Sequence, residues 1–167
     1  MDSRKIKIAL VEDNEGDAVL INNILGTNQF IIHHYPDLES ALNQIENGNY
    51  DVALVDLGLP GCVGADAPMM IINENPDLPV IVLTGSDDPR VIRQVLRIGA
   101  QDYLIKGNFD SQTLVRSIRY SIERKKVLED LYKQKNFAEN LIDTARAMVV
   151  VLDKNLNITR ANPYFEE

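Results

Sequence analysis

The chain reads as an α/β protein: a doubly wound, five-stranded parallel sheet with helices on both faces. Two observations carry this. Between Ile6 and Lys106, five short apolar runs alternate with helical patterns of about ten residues. The third run, Asp51-Val-Ala-Leu-Val-Asp56-Leu-Gly-Leu-Pro60, is apolar almost without a break, as befits a strand covered on both sides.

Taken in order, Ile6–Val11 is the first strand and runs directly into Glu12-Asp13-Asn14. Asp17 to Leu25 carries apolar residues at Ala18, Val19, Ile21, Ile24 and Leu25, a helical spacing, and Gly26 offers a stop. Phe30–His34 is a short second strand, and Asp37 suits the N-cap of a helix burying Leu38, Ala41, Leu42 and Ile45. After the third strand, a helix is expected between Ala65 and Asn73, with Pro68 in its first turn, where a missing N–H costs little. Met69 and Met70 are expected to fill its core side. Val80–Thr84 is the fourth strand. Asp87 or Asp88 can cap a fourth helix that starts at Pro89, buries Val91, Ile92, Val95, Leu96 and Ile98 in part, and closes at Gly99. Asp102–Lys106 is the fifth strand.

From Asp110 a helical pattern runs on to about Ala145, roughly 50 Å at 1.5 Å per residue. Leu114, Ile118 and Ile122 can cover the sheet, and Leu128, Leu131, Ala138, Leu141 and Ala145 continue an apolar stripe that needs a partner. A parallel homodimeric coiled coil is one expectation, although Arg124 and Lys135 interrupt the seam; a solvated single helix is the other. Met148–Leu152 and Asn157–Ala161 then form a terminal β-hairpin. A hairpin alone is marginal in water, so the reading is of a chain cut within a longer protein.

Composition narrows the function. Of 167 residues, 45% are hydrophobic and 25% charged, and the formal net charge is −8. Residues 1–123 hold 9 Lys and Arg against 18 Asp and Glu. That excess opposes nucleic-acid binding, which needs clustered cations, and favours a cation site or a basic partner. No apolar run approaches the ~20 residues of a membrane span, and no signal-peptide region follows the N-terminal charges, so a cytoplasmic protein is expected. The single Cys62 permits no internal disulfide and is expected to be an exposed thiol at most. His33-His34 point to opposite faces of a strand and are not expected to share a metal.

Four of the five strands end in a polar residue: Glu12-Asp13 after the first, then Asp56, Thr84 and Lys106. Singly, each has an ordinary explanation as a loop acid, a turn cap, a β-former or a surface charge. If the strand order is 2-1-3-4-5, as in known flavodoxin-like sheets, all four ends meet at one edge, where ligands collect in open α/β sheets. Three carboxylates placed together resist ionising, and a hard divalent cation such as Mg²⁺ relieves that. A carboxylate beside Mg²⁺ can attack an activated phosphoryl group, with Lys106 and the Thr84 hydroxyl able to meet the transferred oxygens.

These segments resemble a response-regulator receiver (CheY-like) domain over about residues 4–123. Val11-Glu12-Asp13-Asn14 resembles the acidic pair, Val55-Asp56-Leu-Gly-Leu-Pro60 with Gly64 the phosphoacceptor segment, Val82-Leu-Thr84-Gly85 the switch-hydroxyl strand, and Asp102-Tyr103-Leu-Ile-Lys106 the aromatic-plus-lysine strand. The resemblance implies that Asp56 accepts a phosphoryl group from a phosphohistidine on a histidine kinase or phosphotransfer protein. It implies Mg²⁺ held by Asp13, Asp56 and the Gly58 carbonyl, with Glu12 acting through water; Thr84 and Tyr103 moving together on phosphorylation; and Lys106 pairing with the phosphoryl group. Such a domain modifies itself and is not a turnover enzyme. Two departures stand out: Lys106-Gly107 replaces the usual Lys-Pro, leaving open a cis or trans bond, and Gly58 and Ser86 are small where larger groups often influence hydrolysis.

Rival readings are a non-phosphorylated pseudo-receiver serving as an interaction module, and a phosphatase of the dehalogenase type. The latter usually wants a second carboxylate two residues after the first, where this chain has Gly58. An FMN protein is disfavoured because no Ser/Thr/Gly-rich loop follows the first strand. Beyond the receiver, Phe137–Ala145 with Val149–Pro163 is similar to the start of a PAS sensor domain. The expected organisation is a receiver at 1–123, a coiled-coil-like linker at 124–145 and a truncated PAS hairpin at 146–167.

Overall fold

A computed structural model describes residues 4–144, 147, 149–162 and 164. Ala145, Met148 and Pro163, which figure in the expectations above, lie outside the described residues. The chain divides into two compact units, Met1–Lys125 and Lys126–Glu167.

In the first unit five strands, β1 (Ile6–Val11), β2 (Phe30–Tyr35), β3 (Val52–Asp56), β4 (Val80–Thr84) and β5 (Asp102–Ile105), form a parallel sheet in the order β2-β1-β3-β4-β5. The helices between them are α1 (Glu15–Leu25), α2 (Leu38–Ile45), α3 (Asp66–Glu74) and α4 (Pro89–Arg97), and α5 (Ser111–Thr144) follows.

Period-two alternation splits the strand side chains into two cores. Ala9, Val11, Ala53, Val55, Val80 and Val82 meet Ala41, Ile45, Ala67, Ile71 and Val95 from α2, α3 and α4. On the other face, the larger Ile8, Leu10, Leu54, Ile81 and Leu83 meet Ala18, Ile21 and Leu25 of α1 and Leu114 and Ile118 of α5. Small side chains thus face the side with three helices, and bulky ones fill the side with two. Every residue of β3 and β4 is buried, which is why their sequences are nearly continuous in apolar character.

The helix starts follow from short polar side chains. Asn14 Oδ1 accepts from Gly16 N and Asp17 N, Asp37 Oδ1 from Ser40 N, Asp88 Oδ1 from Arg90 N ahead of Pro89, and Asp110 Oδ1 from Thr113 N. Asp88, not Asp87, is therefore the cap of α4. Hydrogen bonding to the Ser40 backbone holds the Asp37 carboxyl below the usual range, and the side chains of Thr113 and Arg90 lead the same effect at Asp110 and Asp88.

Three packing expectations need correction. Met69 and Met70 are 39% and 41% exposed, because α3 turns Ala67, Pro68 and Ile71 inward instead. Cys62 is half-buried against the core rather than an exposed thiol. Leu96 lies on the solvent side of α4, where Val95 alone is fully buried.

In the second unit, β6 (Val150–Leu152) and β7 (Ile158–Ala161) pair antiparallel. Asp153 organises their turn, its carboxylate accepting from Asn155 N, Asn157 N and Asn157 Nδ2, and Leu156 takes φ 66°. Asn162 is buried; its amide donates to Ile142 O and Ala147 O, and its oxygen accepts from Val149 N. That one side chain ties the hairpin to the end of α5. The apolar stripe of distal α5 is exposed at Leu128, Leu131 and Leu141.

Candidate phosphoacceptor edge

The site lies at the carboxyl edge of the sheet. Past the end of β1, Glu12 N still donates to Tyr35 O at 3.0 Å, and His34 Nε2 donates to Glu12 O at 2.6 Å. The backbone is thereby held in line with the sheet, and the Glu12 side chain is fully buried. Asp13, next along, is exposed. Asp56 is the last residue of β3 and is buried. One of its oxygens, Oδ2, accepts from Gly58 N at 2.7 Å, and the other, Oδ1, lies 2.8 Å from Lys106 Nζ. Gly58 approaches closely: a Cβ there would sit 2.8 Å from Oδ2, so a side chain would require the Asp56 carboxylate to shift.

Thr84 ends β4. Its buried hydroxyl accepts from Ser86 N at 3.0 Å, and its carbonyl accepts from Lys106 N at 2.8 Å. This backbone bond sets the lysine just beyond β5. The Lys106–Gly107 bond is trans, no cis peptide occurring among the described residues, and Gly107 turns the chain at φ 83°. Tyr103, paired with Val82 across the sheet, is half-buried against the α2–α4 core.

The lysine is the hub. Its Nζ donates to Glu12 Oε1 at 2.9 Å and to Asp17 Oδ2 at 2.9 Å, besides its contact with Asp56. Glu12 Oε2 lies 2.7 Å from the same nitrogen, within ion-pair range, but out of alignment for a hydrogen bond. Burial alone would push the ammonium pKa down; the carboxylates of Asp56, Glu12 and Asp17 outweigh it and hold Lys106 protonated well above its usual range. Burial pushes the Glu12 carboxyl pKa up, and the Asp56 charge adds to this against the opposing pull of Lys106.

One carboxylate oxygen each from Glu12, Asp13 and Asp56 lies within 4.8 Å of the others. Three clustered acids, of which Glu12 and Asp56 meet the one Lys106 ammonium, leave a negative excess, and Glu12 Oε2 is a buried oxygen without an aligned donor. Both features fit a hard cation with oxygen ligands.

The edge thus brings together Glu12, Asp13, Asp56, Gly58 and Lys106, with Thr84 tied to Lys106 by the backbone. It also recruits Asp17, which the sequence reading missed. The available signal was its spacing: Asp17 falls one helical turn after Asp13, on a helix starting beside the acidic pair. His33 and His34 have separate partners, Tyr50 Oη and Glu12 O, in keeping with their opposite faces.

A doubly wound sheet with such an edge defines a class, and comparison identifies it. The chain belongs to the response regulator receiver domain family, which matches over residues 8–119. It carries the receiver domain of a two-component response regulator. It is 30% identical over 121 residues to the transcriptional regulatory protein DegU of Brevibacillus brevis, covering 71% of this chain and 51% of that protein. It is 31% identical to the two-component response regulator PhoP of Pseudomonas aeruginosa, covering 60% of this chain and 45% of the relative. Among solved structures, the signal receiver domain of a putative Luxo repressor protein from Vibrio parahaemolyticus superposes with a TM-score of 0.66 at 28% identity, covering 77% of this chain and 97% of that one. The chain spans about half the length of the curated relatives it matches. Among the described residues, no helix is long and apolar enough to cross a membrane.

Proposed function

We propose that Asp56 is the phosphoacceptor, taking a phosphoryl group from a phosphohistidine on a histidine kinase or histidine phosphotransfer protein. The observation that carries this is the seating of Asp56: buried at a strand end, with Gly58 N on one oxygen and the Lys106 ammonium on the other. A lone pair of an Asp56 oxygen attacks phosphorus, the P–N bond breaks, and its electron pair stays on the leaving imidazole nitrogen. Lys106 turns from the free carboxylate to the new phosphoryl oxygens, and the Thr84 hydroxyl leaves its local bond with Ser86 to donate to one of them. Asp13, Asp56 and the Gly58 carbonyl would hold Mg²⁺, with Glu12 acting largely through water, and the cation when bound would supply positive charge for those oxygens.

Thr84 and Tyr103 form the switch: as the hydroxyl swings inward, space opens for the ring, and the surface of α4 and β5 changes. The receiver occupies residues 1–123. The linker over 124–145 passes the change onward and pairs with a second copy through the exposed apolar stripe of α5. Residues 146–167 begin a PAS-like module.

Intact mass after treatment with acetyl phosphate and Mg²⁺ tests the central step. The wild type gains one phosphoryl group and Asp56→Asn gains none. No gain in the wild type favours a pseudo-receiver that acts by binding alone. Sedimentation of the full chain beside residues 1–123 tests the pairing: equal monomer states defeat it.

A further inference from the structure

We propose that Asp17 is a positioning residue for Lys106, and that its negative charge limits how strongly the lysine holds a phosphoryl group on Asp56. This deepens the phosphoacceptor reading and rests on it. An ammonium has three hydrogens, and here three carboxylates surround it, from Glu12, Asp17 and Asp56. Glu12 and Asp56 also belong to the acidic trio; Asp17 does not, and of its side chain the structure shows one partner, the lysine.

Its position is fixed by the fold. Asp17 sits in the first turn of α1, its N–H bonded to the capping Asn14 Oδ1 at 3.1 Å. Its side chain is 40% exposed against 23% for Lys106, so it meets the ammonium from the solvent side. The Asp17 and Asp56 carboxylates lie 2.9 and 2.8 Å from the same nitrogen, so their nearest oxygens cannot be more than about 5.7 Å apart. Phosphorylation replaces the single charge of the Asp56 carboxylate with about two on the phosphoryl oxygens, a net gain of about one negative charge in that space. Asp17 then acts twice in one direction: it cancels part of the lysine's charge, and it repels the new group. A neutral side chain at position 17 leaves more of the lysine's charge for the phosphoryl oxygens.

Beryllofluoride, a tetrahedral phosphoryl mimic, is the probe, titrated into the full chain with Mg²⁺ and followed by fluorine NMR. Asp17→Asn keeps an oxygen acceptor for Lys106 and removes the charge. It is expected to bind the mimic roughly five- to tenfold tighter, after allowance for solvent screening. Once labelled by acetyl phosphate, it should keep the phosphoryl group longer by a similar factor. Asp17→Glu should return both values towards wild type, and Asp17→Ser, neutral and shorter, should shift them as Asn does. Tighter binding with an unchanged thermal midpoint separates a charge effect from loss of structure. Equal or weaker binding in both neutral variants overturns the proposal. Absence of binding in the wild type, or equal binding in Asp56→Asn, overturns the phosphoacceptor reading and this inference with it.

Discussion

Replacing Lys106 with Met keeps an unbranched side chain of similar length but removes the ammonium that the buried acids share. Its Nζ lies 2.7 to 2.9 Å from oxygens of Glu12, Asp17 and Asp56. Asp17 is partly exposed, so water screens its contribution more than that of the buried acids. Glu12 is fully buried and Asp56 nearly so, and without the lysine their charges face each other in low dielectric. Breaking a buried pair by removing one partner costs about 3–5 kcal/mol. Glu12 can relieve part of this by taking up a proton, because burial already raises its pKa, so a loss near the lower figure of about 3 kcal/mol is expected at neutral pH. Urea unfolding of Lys106→Met in chelator, followed by far-UV circular dichroism, reads the loss as a lowered midpoint at constant slope. The loss should shrink as pH falls and Glu12, its pKa raised by burial, takes up a proton and no longer needs a cation. A difference below about 0.5 kcal/mol, or one independent of pH, would refute the buried charge triad.

Three further outcomes follow from the same geometry. Folding raises the Glu12 pKa above its ordinary 4.5, so the stability tied to its neutral form is complete below that value and is lost as pH rises through the folded pKa. Glu12→Gln, neutral throughout, should gain on the parent across this window in thermal scans at stepped pH; a constant difference would mean Glu12 does not titrate there. Asp13→Asn removes one of the three clustered charges and should weaken Mg²⁺ binding on the order of tenfold, or 1.4 kcal/mol, by calorimetry; unchanged affinity would place the cation elsewhere. Gly107→Ala meets no neighbouring atom but must adopt φ 83°, at a cost of about 1–2 kcal/mol in chemical unfolding; no loss would contradict the left-handed turn after Lys106.

The sheet was legible because its central strands announce themselves. Val52–Val55 and Val80–Leu83 are buried on both faces and so carry no alternation, while α1 and α2 show helical spacing, the first stopped at Gly26 and the second begun at Asp37. The edge was legible because Asp56, Thr84 and Lys106 each stand where an apolar run stops. Less could be read where a contact joins distant positions without a periodic trace. Asp17 looks like any polar residue on an amphipathic helix, and its partner is 89 residues away. His34 looks like a strand residue, yet it holds the Glu12 carbonyl from the neighbouring strand. Met69 and Met70 were misplaced because hydrophobicity alone does not say which face of a short helix turns inward; Ala67 and Ile71, spaced one turn apart, do.

Locating the modified residue tests the convergence at Asp56 most directly. Borohydride reduction converts an acyl phosphate on aspartate to homoserine, and peptide mass mapping then reports which position has changed. After treatment with acetyl phosphate, homoserine should appear at position 56, should require Mg²⁺, and should fall sharply in Lys106→Met. Homoserine at another aspartate, or none at position 56 in a folded, Mg²⁺-loaded protein, would contradict the placement of the phosphoacceptor.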